Sequence, residues 1–330
     1  MSGSVAIIGK QQPRPIRERM RETIVAAGRR CDLLDMPTRN TADWKEALRG
    51  YAVLISAGEK IPAETMEALR GGLRLISRFG VGTDEMDHAA ATRCGIAICN
   101  AAGTLSTAVA ECALGLTINL LRNLPEGDRE VRRGDWSRFY EGRNGRQIEG
   151  KTIGLVGFGS IAQALARMLA GFECKILACD LFFDVERARS LGVRRADLSE
   201  ILSESDVVSL HVPLTPETRH MVDEDFLCAM KPGAILINTA RGALINERAL
   251  VRALSDGALA AAGLDVFEEE PLPASSPLIK LDNVMLLPHS GAGTTECVTR
   301  AGLMAVQNAI DFLAGKPVPT ILNPEYERFL

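Results

Sequence analysis

The chain has no Cys-x-x-C pair, although it holds eight cysteines in 330 residues. Without that spacing, neither a zinc-ribbon site nor a redox dithiol is indicated. Cys94, Cys99, Cys174 and Cys179 lie inside apolar runs. The cysteines are therefore read as reduced core residues of a cytoplasmic protein, with no metal site. No block rich in lysine and arginine stands out, and the net charge is −4. The electrostatic footprint of a nucleic-acid or anionic-membrane binder is thus missing. No apolar run reaches the length of a bilayer span. The apolar stretch near the N-terminus is too short and too early for a signal peptide. Internal repeats and low-complexity tracts are absent as well. What remains is an ordinary globular composition, 46% hydrophobic and 24% charged. The length suffices for two domains with their own cores.

Short β-branched runs at Val5–Ile8, Val53–Ile55, Leu73–Ile76 and Ile96–Ile98 alternate with helical patterns around Ile16–Ala27, Pro62–Leu69 and Met86–Cys94. This predicts a doubly wound α/β unit with a parallel sheet. A long helix is predicted from Ala108 to about Leu121, followed by a helix end and linker over Glu126–Gly150. A second series places strands at Ile153–Val156, Ile176–Ala178, Val207–Leu210, Ile235–Asn238, Ala261–Val266 and Val284–Leu287. Six strands with intervening helices predict a full Rossmann domain. A last helix is predicted from Thr294 to about Ala314.

The most specific local signal is Gly157-Phe158-Gly159-Ser160-Ile161-Ala162. It is a G-x-G-x-x-A turn between an apolar run and a helical pattern, as a dinucleotide fingerprint requires. Gly157 permits the tight turn, Gly159 lets backbone approach a pyrophosphate, and Ala162 lets helix and strand pack closely. The helix N-terminus then turns backbone N–H groups toward the phosphates. Asp180 lies about 20 residues beyond the turn, where a carboxylate receives the ribose 2′-hydroxyl of NAD and repels the 2′-phosphate of NADP. The competing reading is a tight βα turn with an incidental aspartate.

Ligands of such sheets bind beyond the carboxyl ends of the strands. Polar segments stand at those ends: His211–Thr218, Thr239–Gly242, Phe267–Pro271 and Pro288–Ala292. They bring together Arg241, Glu270 and His289. Hydride attack on a 2-oxo acid develops an oxyanion that needs a proton, and histidine can supply one near neutrality. A carboxylate on the other ring nitrogen fixes the tautomer and raises the histidine pKa. Arginine can hold a substrate carboxylate or polarise the carbonyl. Each residue also has a structural reading: His289 as a turn cap, Glu270 as part of a solvated acidic face, Arg241 as a loop ion pair. Among the other histidines, His211 is expected to line a cofactor wall. His220 is expected to be a surface residue at a helix start, and His88 to have no chemistry.

The segments at 209–222, 238–254, 263–273 and 286–294, with 76–87 and 100–111, together resemble the D-isomer-specific 2-hydroxyacid dehydrogenase family over essentially the whole length. The resemblance implies two doubly wound domains, a Rossmann NAD-binding domain and a flavodoxin-like substrate domain. It implies that the substrate domain is discontinuous, residues 1–100 and 291–330, with 101–290 binding NAD, and that the cleft between them closes on its ligands. It also implies a homodimer whose interface includes residues around 104–121. Arg241 is then the substrate-binding arginine, His289 the acid/base and Glu270 its partner. Glutamine stands at that last position in formate dehydrogenases of this fold, so Glu270 argues against that activity. The NAD contacts implied are Gly157, Gly159, Ser160, Ile161, Asp180, His211, Val212, Pro213, Thr218, Thr239, Ala240, Arg241, Asp265, His289, Gly291 and Ala292. Asp265 would hold the nicotinamide carboxamide, and Val212 and Pro213 would flank the adenine. Gly80-Val81-Gly82 would offer N–H groups to the substrate carboxylate.

The resemblance leaves the substrate open between 3-phosphoglycerate and a short 2-oxo acid such as glyoxylate or hydroxypyruvate. Arg78 matches a position that phosphoglycerate dehydrogenases use near the phosphate, with a surface ion pair as the alternative. Against phosphoglycerate stand Ile55, where those enzymes commonly place a second arginine, and Leu105, where a polar residue is common. The expected length, without a C-terminal regulatory domain, points the same way. Two other activities share the framework: an NAD-sensing corepressor and a phosphite dehydrogenase.

Overall fold

The computed structural model describes residues 3–9, 13–35, 41–141 and 144–330. The chain divides into two compact units, Met1–Leu105 with Gly293–Leu330, and Ser106–Ala292. The first unit runs β1 (Val5–Ile8), α1 (Arg14–Ala26), β2 (Cys31–Leu34), α2 (Thr41–Ala47), β3 (Val53–Ser56), α3 (Ala63–Ala68), β4 (Leu75–Arg78), α4 (His88–Arg93) and β5 (Ala97–Cys99). Its parallel sheet has the order β2-β1-β3-β4-β5, the flavodoxin-like winding. The strands β1, β3 and β4 are buried on both faces. Parallel strands covered by helices on both sides read as continuous apolar runs, which is why these three were visible in the sequence. β2 was not, because its run Cys-Asp-Leu-Leu is only half-buried at the sheet edge. The short helix α2 escaped notice too, although Trp44 anchors it in the core.

The second unit begins with α5 (Ser106–Arg122), α6 (Leu124–Arg132) and α7 (Ser137–Tyr140). α6 and α7 occupy much of the stretch expected to be linker. α6 forms because a proline sits in its first turn, and Glu126 and Asp128 meet Arg129 and Arg132 at helical spacing. Residues 142 and 143 of that stretch lie outside the described residues. Next come β6 (Thr152–Val156), α8 (Ser160–Leu169), β7 (Lys175–Cys179), α9 (Val185–Ser190), β8 (Val193–Arg195), α10 (Leu198–Glu204) and β9 (Val207–Leu210). The unit closes with α11 (Glu224–Ala229), β10 (Ile235–Asn238), α12 (Glu247–Ser255), β11 (Ala261–Leu264) and β12 (Val284–Leu286). The sheet has seven strands rather than six, in the order β12-β11-β10-β9-β6-β7-β8. The added strand, β8, carries two exposed arginines and so has no apolar signature. The last helix, α13 (Thr295–Leu313), returns to the first unit, capped by Thr294.

Winding reverses between β6 and β9, so their carboxyl ends flank the switch point at which such sheets bind ligands. Five helices are capped by Asp87, Asp184, Asp197, Asp223 and Asn246, each accepting a backbone N–H of its first turn. α8, which faces the switch point, begins at Gly159 with no side-chain cap. No described helix is long and apolar enough to cross a membrane.

Candidate active site

Gly157 follows β6 directly and has φ +96°. A Cβ there would stand 2.6 Å from the carbonyl oxygen of His211, at the end of β9. Both its backbone conformation and the close approach of the two strand ends therefore demand glycine. At Gly159 a Cβ would meet nothing within 4 Å. This open space lies at an uncapped helix N-terminus, which suits an approaching pyrophosphate. Behind it Ala162 is fully buried, while Ser160 accepts a hydrogen bond from Ser106 at 2.9 Å. Ile161 is partly buried on the same first turn.

Asp180 ends β7. Its carboxylate accepts the N–H of Phe158 at 2.6 Å and that of Phe182 at 2.7 Å. These bonds fix its direction and leave lone pairs for ribose hydroxyls. Beside it opens a cavity of about 400 Å3 lined by Cys179, Asp180, Arg195, Ala196, Asp197 and Glu200. Three of these belong to β8 and the turn after it, with Glu200 following on α10, and sequence reasoning missed them with the strand. Leu181 and Phe182, at 94% and 91% exposure, stand just past the acid. Thr239, after β10, buries a hydroxyl with no partner among the described residues. An orphaned donor, an open Gly159 and an anchored acid on one sheet end fit a dinucleotide. Among the described residues, no group of three or more His, Cys, Asp or Glu could hold a metal ion.

The histidines separate sharply. His211 bonds Ser209 at 2.9 Å through Nε2. Burial lowers its pKa to about 4, so it is neutral at physiological pH. Its neighbours Val212, Pro213 and Thr218 form one turn, in which the Thr218 hydroxyl donates to the Pro213 carbonyl at 2.8 Å. His220 does not start a helix. It sits in the left-handed region at φ +54° and meets Glu268 at 3.3 Å. His88 opens α4 in the other unit and meets Thr83 at 2.9 Å.

His289 is different. Its Nδ1 lies 2.7 Å from Oε2 of Glu270, and Oε1 of Glu270 accepts the Phe267 N–H at 3.0 Å. Nε2 of His289 has no partner among the described residues. The bond from Glu270 is the main cause raising the His289 pKa. The charges of Glu270 and Asp265 add to it, against burial and the nearby Arg241. Burial opposes ionisation of Glu270. The bonds from His289 and Phe267, with the charges of His289 and Arg241, outweigh it and hold that pKa low. The signs fix a pH window. The raised histidine contributes stability below its unfolded pKa and loses it as pH rises through the folded value. The lowered glutamate contributes above its unfolded pKa and loses it as pH falls through the folded value. The pair is therefore strongest in the range between carboxylate and imidazole titration.

His289 itself lies at φ +53°, unusual for a residue with a side chain. Asp265, 2% exposed at the end of β11, overdetermines this turn. Its backbone carbonyl accepts the His289 N–H at 2.8 Å, and its two carboxylate oxygens accept the N–H groups of Ser290 and Gly291 at 2.7 and 2.8 Å. The residue expected to hold a carboxamide is thus first a clamp on the histidine turn, which continues to Ala292. Arg241 donates to the Ala240 carbonyl at 2.7 Å and is close enough to act on both members of the dyad. Its placement depends on Gly242, a residue sequence reasoning passed over. A Cβ there would lie 1.9 Å from the Phe267 backbone. The signal was the glycine directly after the arginine.

Arg78, Val81 and Gly82 belong to the first unit. Arg78 is buried, donates to the Gly82 carbonyl at 2.9 Å and pairs with Glu85 at 3.2 Å.

Residues 114–291 match the family described as "D-isomer specific 2-hydroxyacid dehydrogenase, NAD binding domain". A glyoxylate reductase of Thermofilum pendens is 40% identical over 306 residues, 88% of this chain and 89% of that one. A D-3-phosphoglycerate dehydrogenase of Methanocaldococcus jannaschii is 39% identical over 82% of this chain, which spans only 51% of it. The holo structure of Rhodotorula graminis D-mandelate dehydrogenase is similar at a TM-score of 0.86 and 30% identity, with 97% of each chain covered.

Gly242→Ala is expected to destabilise the second unit by ~3 kcal/mol or more, because the obstacle is backbone rather than a flexible side chain. Urea unfolding of the purified variant checks this, and a midpoint equal to wild type would contradict it.

Proposed function

We propose that this chain, which belongs to the D-isomer-specific 2-hydroxyacid dehydrogenase family and is an NAD-dependent dehydrogenase, reduces a short, unphosphorylated 2-oxo acid, glyoxylate or hydroxypyruvate, to the D-2-hydroxy acid. The observation that carries the chemistry is the 2.7 Å bond between His289 and Glu270. Two observations support the unphosphorylated substrate. The Thermofilum pendens relative named for glyoxylate matches over nearly the full length of both chains. The Arg78 guanidinium is bonded to the loop beside it.

When bound, NADH supplies the hydride that adds to the carbonyl carbon of the substrate. The imidazolium of His289 donates its Nε2 proton to the carbonyl oxygen as charge grows there. Glu270 holds the ring through Nδ1, so that Nε2 is the nitrogen presented, and keeps the imidazolium populated at neutral pH. Arg241 binds the substrate carboxylate and orients the carbonyl, for which its planar fork is suited. In the first unit, the loop after β4 offers N–H groups suited to a carboxylate, as the resemblance implies. Asp180 receives the ribose hydroxyls and rejects a 2′-phosphate.

A second reading, oxidation of 3-phosphoglycerate, is favoured by the relative of that name. Steady-state rates with glyoxylate, hydroxypyruvate and 3-phosphohydroxypyruvate, each with NADH and NADPH, separate the two. We expect kcat/KM for one of the unphosphorylated acids with NADH to exceed the phosphorylated one by about tenfold or more, roughly 1.4 kcal/mol of transition-state preference. The reverse order would support phosphoglycerate, and a preference for NADPH would contradict the role of Asp180.

The acid form of His289 is the active one in reduction. kcat/KM should therefore stay level on the acid side of its raised pKa and fall as pH rises through it. Glu270→Gln removes the largest cause of the raise. The midpoint should then move down toward the ordinary histidine value of about 6.5. An unmoved midpoint would show that another group titrates.

A further inference from the structure

The loop that follows β4 is tied down in a manner the catalytic dyad does not explain. The Gly80 carbonyl accepts the Ala101 N–H at 2.8 Å. The Val81 carbonyl accepts Nδ2 of Asn100 at 2.9 Å. The Gly82 carbonyl accepts Nε of Arg78 at 2.9 Å. Three successive carbonyls are thus engaged by their own unit. In a trans peptide the C=O of one residue and the N–H of the next point in opposite directions. Each tied carbonyl therefore turns the following N–H away from the group that ties it. The N–H groups so turned are those of Val81, Gly82 and Thr83, and none has an acceptor among the described residues.

The two side chains that do the tying are built in. Asn100 is buried, and its amide is fixed at both ends. Oδ1 accepts the Ala102 N–H at 3.2 Å while Nδ2 holds the Val81 carbonyl. Its backbone carbonyl accepts Nδ2 of Asn308, on α13, at 3.1 Å. Arg78 is 6% exposed and pairs with Glu85 at 3.2 Å, which sets the direction in which Nε points.

We propose that Arg78 and Asn100 are positioning residues for substrate recognition: by holding the 81 and 82 carbonyls they aim the loop's N–H groups at the carboxylate of the 2-oxo acid. Arg78 then acts on every substrate through the loop and reads no phosphate. This rests on the reading that the loop receives the carboxylate, and the variants below separate the two.

The test is steady-state kinetics of the full chain with NADH, using glyoxylate, hydroxypyruvate and 3-phosphohydroxypyruvate. Arg78→Lys keeps the buried charge beside Glu85 but loses the fork. Asn100→Ala removes the other tie. Val81→Pro removes one of the N–H groups directly. Losing one such bond is expected to raise KM for the 2-oxo acid roughly 3- to 15-fold. Arg78→Lys and Asn100→Ala should show this with kcat and the KM for NADH within about twofold of wild type. The factor should be the same for phosphorylated and unphosphorylated substrates, since all share the carboxylate. A loss confined to 3-phosphohydroxypyruvate would overturn the proposal and make Arg78 a phosphate ligand. If Val81→Pro raises KM and neither Arg78→Lys nor Asn100→Ala does, the loop binds the carboxylate without their help and the proposal fails alone. If Val81→Pro leaves KM unmoved, the loop is not the carboxylate site and both readings fall. Thermal melting of each variant identifies any that is unfolded, and Arg78→Lys and Asn100→Ala each suffice to overturn the proposal.

Discussion

The bond between His289 and Glu270 governs what this sheet can do, and it exists only because Asp265 holds the intervening turn. A histidine at positive φ is strained by about 1 to 3 kcal/mol and persists where its surroundings leave it no alternative. Three hydrogen bonds to one buried aspartate supply that restriction. The aspartate lies at the end of β11, and the histidine turn follows β12. Adjacent parallel strands thus deliver the clamp and the histidine side by side, with Glu270 arriving on the loop between them. Gly242 lets the Arg241 loop close against the Phe267 backbone, which brings the guanidinium into the field of the dyad.

Environment, rather than residue type, divides the labour among the histidines. His211 and His289 both stand at strand ends of the same sheet. One is desolvated without a carboxylate and stays neutral, with its pKa lowered to about 4. The other has a carboxylate on Nδ1 and is pushed the opposite way. Such opposed shifts within one sheet are what the proposed division of roles requires, a proton carrier at His289 and a neutral wall at His211. The same reasoning separates the carboxylates. Glu270 is held ionised by its partners, whereas burial raises Asp265 against the two N–H bonds that lower it.

Much of this was legible in the sequence where burial is two-sided. β1, β3, β6, β9 and β10 are nearly continuous apolar runs because helices cover both faces of each sheet. The glycine turn after β6 declared itself because Gly157 answers a positive φ and a close strand end together. Illegible were the elements at the edges, where solvent permits polar residues: β2 with its aspartate, and β8 with its paired arginines. The cavity beside Asp180 was lost with β8, since half of its lining comes from that strand and the turn beyond. Also hidden were roles set by backbone direction. Nothing in the sequence says that Asp265 clamps the turn of His289, or that Arg78 and Asn100 grip carbonyls of the loop after β4. Such roles depend on which way a peptide plane faces, and no pattern of residue types encodes that.

The most direct test of the account is NMR titration of the imidazole resonances, with His289 assigned from the spectrum that His289→Asn lacks. The account predicts a pKa for His289 above about 6.5 in the free enzyme, while His211 stays neutral throughout the neutral range. A His289 titrating at or below the ordinary histidine value would mean that Glu270 does not hold it, and the acid assigned to the reaction would be the wrong one.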